Sequence, residues 1–153
     1  MYWFIDFESF KLQGEDYVVK EIAILSSDGS QCYNYRIKSP KHYLCPYKDA
    51  TFNFQFLRHK IRWDDGDFHF YKALADIWVH LGGNIVYVKG LEKKIFLDRH
   101  LFRVAELHMV PAFKKLNSCI LSWCEHMHGK FCSRRKVSEL KHYIDTNKII
   151  LAE

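Results

Sequence analysis

The chain has 153 residues and a mass of 18.3 kDa, enough for one compact domain. Its 48% hydrophobic and 27% charged residues are ordinary globular values that exclude a disordered chain, and no apolar run reaches the roughly 18 to 20 residues of a membrane span. A net charge of +5 leans mildly toward anionic partners, and aromatic residues are in excess at 16%.

Trp3 to Phe7 is aromatic and β-prone, and Tyr17 to Leu25 is a long apolar run. Ser27-Asp28-Gly29-Ser30 is a tight-turn signal, and Gln31 to Lys38 alternates apolar and polar residues. Together these predict a three-strand antiparallel meander. Between Ser39 and Asp67 the pattern is irregular, with Pro40, Pro46 and Asp64-Asp65-Gly66-Asp67 as breakers and a loosely helical stretch from Thr51 to Ile61.

From Phe68 to Leu81, Phe70, Leu74, Ile77, Trp78 and Leu81 fit a helical period. Asp67 is placed to cap this helix and Gly82-Gly83 to end it. A buried strand follows at Asn84 to Val88, then a turn at Lys89-Gly90 and a second helix from Leu91 to Phe102. Val104 to Met109 reads as a short strand, Pro111 to Leu116 as a turn of helix, and Ser133 to Asn147 as a last helix with Val137, Leu140 and Ile144 on one face. The order βββ, then α, β, α, β, α predicts one α/β domain over residues 1–153: a mixed central sheet flanked by helices, in the element order of the ribonuclease-H-like fold.

Three constellations carry chemistry. Asp6 and Glu8 lie two apart on the first strand, so both carboxylates leave the same face. Two such groups repel unless a cation or a shared proton lies between them, and Mg2+ or Mn2+ is the natural oxygen-seeking partner. The second is Cys124-Glu125-His126-Met127-His128-Gly129-Lys130-Phe131-Cys132, a dense run of soft sulfur and imidazole that suits tetrahedral Zn2+. On an unbroken helix Cys124 and Cys132 would stand about 12 Å apart, too far to share one ion, so the helix must break, with Gly129 as the break point. His126 competes with His128, and Glu21, an acid inside an apolar strand, is the candidate fourth ligand. The third is Glu92, in the first helical turn after the buried strand, where α/β sheets present functional groups and where an acid also suits the helix dipole.

Five cysteines and a start without a basic leader segment predict an intracellular protein, in cytoplasm or nucleus, with reduced or metal-bound thiols. Lys89, Lys93, Lys94, Arg99, Arg134, Arg135, Lys136 and Lys141 supply a phosphate-facing surface. Three of them crowd the first turn of the last helix, against its dipole, which makes sense if an anion docks there. Tyr33, Tyr35, Tyr43 and Tyr47 are candidates for stacking on unpaired bases.

The Asp-x-Glu strand, the Glu-Ile-Ala strand, the strand-Gly-acid-helix element and the terminal Cys/His/Cys cluster resemble the DEDDh exonuclease superfamily. The likeness is closest to its zinc-bearing branch, the Maelstrom domain and the exonuclease domain of arenavirus nucleoproteins. It runs from Trp3 to about Ile144. It implies a structural zinc held by Glu21, Cys124, His128 (or His126) and Cys132. It also implies a catalytic set of Asp6, Glu8 and Glu92 holding Mg2+ or Mn2+. Two groups of the active pattern are not evident: Phe131 stands where the general-base His belongs, and Lys136 near the last acid, for which His126, Glu139 and Asp145 are the spatial substitutes. The resemblance therefore implies a nucleic-acid-binding domain, RNA ahead of DNA, with weak or lost nuclease activity, or alternatively an active 3′-5′ exonuclease. Lys89, Lys93, Arg134, Arg135 and Lys136 are its expected nucleic-acid contacts, a protein partner is a further expectation, and no membrane is expected.

Overall fold

A computed structural model describes residues 1–11, 17–40, 61–101, 103–107 and 133–146. Five strands, β1 (Trp3–Lys11), β2 (Tyr17–Ser26), β3 (Cys32–Arg36), β4 (Val86–Val88) and β5 (Val104–Glu106), form one sheet in the order β3-β2-β1-β4-β5. β1, β2 and β3 are antiparallel, and β4 and β5 run parallel to β1. This is the mixed sheet of the ribonuclease-H-like fold. The meander turns where predicted: Asp28 Oδ1 accepts from Ser26 Oγ, Ser30 N and Ser30 Oγ, and Gly29 takes φ 78°.

Among the described residues three helices cover the sheet: α1 (Phe70–Leu81), α2 (Leu91–Asp98) and α3 (Ser133–Thr146). Alternation along β1 assigns the two faces. Trp3, Ile5 and Phe7 pack with Ala73, Leu74 and Ile77 of α1 and with Phe96 and Leu97 of α2. Phe4 points the other way and joins Ala23, Leu25 and Tyr87 against Val137, Leu140 and Ile144 of α3.

Several boundaries differ from the sequence expectation. α1 begins two residues after Phe68, with His69 at the N-cap and no side-chain cap, so Asp67 does not cap it. Its C-terminus is as predicted, Gly82 in the left-handed region donating to Trp78 O. α2 ends at Asp98, four residues short of Phe102, because Arg99 N donates to Phe96 O in a tight turn. The expected helical stretches at 51–61 and 111–116 lie outside the described residues, apart from Ile61, which is non-helical and buried. Among the described residues no helix is long and apolar enough to cross a membrane.

A buried cation ties the segment before α1 to the sheet. Lys20 is fully buried and donates to Ser39 Oγ at 3.0 Å, to Trp63 O at 2.7 Å and to Asp65 O. Gly66 lies in that segment at φ 131°, against Ile37, where an added Cβ would meet Ile37 O at 2.3 Å.

Candidate functional site: an acidic cleft under the last helix

Asp6 and Glu8 share the α3 face of the central strand with Phe4, and both are buried, at 4% and 9% exposure. Asp6 stands opposite Ala23, whose small side chain leaves room, and Glu8 opposite Glu21. The strand pairing shifts register just beyond Glu8, a bulge that ends the regular ladder at the acids.

Each carboxylate meets one ammonium group. Lys93, in the first turn of α2, reaches Asp6 Oδ1 at 2.7 Å and also donates to Phe7 O at 2.8 Å. Lys136, in the first turn of α3, reaches Glu8 Oε1 at 2.7 Å. The two lysines thus come from helices on opposite sides of the sheet and close on one pair of acids.

A third carboxylate borders the cleft. Glu139 follows Lys136 by one helical turn and is 8% exposed, with Oε1 buried and lacking a hydrogen-bond partner, as is Asp6 Oδ2. Burial pushes the Glu139 carboxyl up to about 7; Arg135 and Lys136 oppose the rise, the Asp6 charge adds to it and Lys89 opposes it. Glu8 is raised as well, chiefly by burial, against the pull of Lys93 and Lys136 and with a push from Asp6. Four cations, Lys89, Lys93, Arg135 and Lys136, therefore act on three acids.

The other expected site residues fall as follows. Glu92 is exposed and its Oε2 accepts from Tyr17 OH at 2.9 Å. Tyr17 packs on Phe7 and Phe96, so this contact lies on the α1/α2 face, away from the face bearing Asp6 and Glu8. Lys93 and Lys136, expected to face phosphate, are ion partners of the acids. Glu21 is fully buried, its Oε1 accepts from Ser133 N at 2.8 Å, and its Oε2 takes Asn34 Nδ2 at 3.3 Å and faces Arg36 Nε at 3.6 Å. The basic first turn of α3 (Ser133, Arg134, Arg135, Lys136) thus has internal anions: Glu21 at its N-terminus and Glu8 on Lys136. Cys124, His126, His128, Phe131 and Cys132 lie outside the described residues, as do Tyr43 and Tyr47. Tyr35 is buried with its hydroxyl on Asp76, and Tyr33 stacks on His80 at 3.7 Å between ring centroids. Neither is an open platform for a base.

Sequence reasoning named Glu139 only as a spatial substitute and missed Lys20. The signal for Glu139 was its place beside Leu140 in the inward stripe Val137, Leu140, Ile144. For Lys20 it was a cation inside an apolar strand.

The acid pair does not fit resident divalent ions as it stands. One oxygen of each carboxylate, Asp6 Oδ1 and Glu8 Oε1, already faces an ammonium group where an ion would bind at about 2.0–2.1 Å, while Asp6 Oδ2 stays without a hydrogen-bond partner. Among the described residues no three His, Cys, Asp or Glu side chains converge tightly enough to hold a metal ion. For zinc, the one described candidate ligand, Glu21, stands against the residue that directly follows Cys132 in the chain.

No protein-family model matches the sequence, and no curated protein matches it. Among solved structures the chain is similar to exonuclease X in complex with 5′ overhanging duplex DNA, with a TM-score of 0.52 and 16% identity over 98% of this chain and 95% of that chain. The likeness shows the fold alone: an α/β domain of the ribonuclease-H-like kind.

Proposed function

We propose that the chain is a nucleic-acid-binding domain on an exonuclease fold, RNA ahead of DNA, with weak or lost nuclease activity. The observation that carries this reading is the acidic cleft itself. Asp6 and Glu8 are buried side by side on the central strand of an exonuclease-type sheet, and cations from two helices converge on them. Burying two carboxylates on one strand face is costly, and that cost is hard to account for without a site there. The surrounding cations, with Arg134 on the same helical turn, draw a phosphate backbone to the cleft rim.

Weak or lost hydrolysis follows from the groups at the remaining positions. Phe131 offers no base to the attacking water, a loss of about 100-fold to 10,000-fold. Lys136 meets Glu8 as a cation where the superfamily pattern has an acid, and Glu92 is engaged by Tyr17. Membership of the zinc-bearing branch of the DEDDh superfamily is part of the proposal. It assigns a structural zinc to Glu21, Cys124, His128 and Cys132, with His126 as the competing imidazole, and the support is Glu21 beside Ser133.

A nuclease assay with Mg2+ and Mn2+ on end-labelled single- and double-stranded RNA and DNA tests the reading, with wild type set against Asp6→Ala/Glu8→Ala. RNA retained without shortening, and released by Lys89→Glu/Arg134→Glu, supports it. Processive shortening lost in the acid variant would instead make the chain an active 3′-5′ exonuclease. Neither shortening nor retention would leave a protein-binding role for the same face.

A further inference from the structure

The pairing of each buried acid with one lysine has a consequence for metal dependence that rests on reading the cleft as an exonuclease-type acid site. Lys93 Nζ and Lys136 Nζ each stand 2.7 Å from a carboxylate oxygen that a divalent ion would need. Both side chains are about one-quarter exposed and rooted in first helical turns. Lys93 is fixed further by Phe7 O at 2.8 Å, so its ammonium is held by the strand as well as by the acid. A divalent ion entering between Asp6 and Glu8 would have to displace both ammonium groups or lie beside them, against their repulsion in a poorly solvated cleft.

We propose that Lys93 and Lys136 are tethered counter-cations that take the place of divalent ions at Asp6 and Glu8, so that the domain holds nucleic acid without Mg2+ or Mn2+. The charge balance of the cleft agrees. Lys93 and Lys136 pair one to one with Asp6 and Glu8, which leaves no negative excess between the two acids to recruit a doubly charged ion.

Mn2+ titration of the full chain, followed by the electron paramagnetic resonance of free Mn2+, reads this directly and needs neither activity nor nucleic acid. Wild type should bind Mn2+ no more tightly than Asp6→Asn/Glu8→Gln. Lys93→Met/Lys136→Met should gain about tenfold or more in affinity, and adding Glu8→Gln should abolish the gain. The charge-keeping variant Lys93→Arg/Lys136→Arg should behave as wild type. Wild-type binding that Asp6→Asn/Glu8→Gln removes would overturn the proposal, as would a folded methionine variant with no gain. If the methionine variant does not fold, the wild-type comparison decides alone. A chain that excludes Mn2+ yet retains no RNA would sink the proposed function while leaving this inference standing.

Discussion

Glu21 Oε1 accepts a hydrogen bond from the backbone N–H of Ser133 at 2.8 Å, across 112 positions of sequence. It joins the middle strand of the meander to the first residue of α3, the helix that roofs the acid cleft. No acid lies in the first turn of α3, whose Arg134, Arg135 and Lys136 oppose its dipole, so the Glu21 carboxylate does from the sheet what a capping residue does locally. Glu21→Ala should leave the buried N–H of Ser133 without its acceptor and take one partner each from Asn34 and Arg36, at a cost of about 3 kcal/mol. Glu21→Gln, which keeps one acceptor oxygen, should lose less. Urea denaturation checks both, and a loss below about 1 kcal/mol for Glu21→Ala would contradict the capping role.

The elements set by local signals were legible in the sequence. The Asp28-Gly29 turn and the apolar runs define the meander, the period of Leu74, Ile77 and Leu81 defines the inner face of α1, from which Trp78 of the same period departs at 49% exposure, and Gly82 ends the helix. Asp6 and Glu8 on one strand face were equally readable, because strand alternation is a two-residue rule. The partners of those acids were not. Lys93 lies 87 positions from Asp6, and no periodicity says which cation of a basic face turns inward. Lys20 was invisible for a related reason: its ammonium is satisfied by the carbonyls of Trp63 and Asp65, in a segment with no regular pattern. The basic first turn of α3 is anomalous in the sequence, but its counter-anions, Glu21 and Glu8, are internal and distant along the chain.

Lys20 gives a pH dependence with a definite sign. Burial, opposed by Asp65 and Asp64, pulls its ammonium down to about 8, while the unfolded chain titrates near the ordinary lysine value. The folded state therefore binds fewer protons than the unfolded state between about pH 8 and 10.5, and stability rises with pH across that window. The gain should approach about 3 kcal/mol. Denaturation of wild type and Lys20→Met at pH 7.5, 9 and 10.5 isolates it, because Lys20→Met lacks this rise. Parallel stability curves for the two proteins would refute the burial-lowered titration of Lys20 in the fold.

Zinc content is tested without reference to catalysis. Elemental analysis of the chain purified without added metal should find about one zinc per molecule, and Cys132→Ser should lose it. Chelator treatment should lower the melting temperature of wild type and not that of Cys132→Ser. A fully folded wild type without zinc would remove the support for the zinc-bearing branch.

Glu139 ties stability and binding to pH in the opposite direction from Lys20. Burial chiefly, with the nearby Asp6 charge, holds its carboxyl at about 7, above the ordinary glutamate value of 4.5. The folded state thus keeps a proton that the unfolded state has released, so the stabilising contribution is complete below pH 4.5 and is lost as pH rises through 7. Glu139→Gln mimics the protonated form. It should be more stable than wild type at pH 8, by up to about 3 kcal/mol, and should match it near pH 4.5. Deprotonation also adds a negative charge beside Asp6, which repels phosphate. RNA retention by wild type should therefore strengthen from pH 8 to pH 6, and Glu139→Gln should show the stronger retention at both values. Denaturation curves at pH 4.5 and 8 with filter binding at pH 6 and 8 measure the two effects separately. A Glu139→Gln protein less stable than wild type at pH 8 would mean that the carboxylate is held by a cation, and the buried Glu139 would then belong to the cleft's ion-pair network.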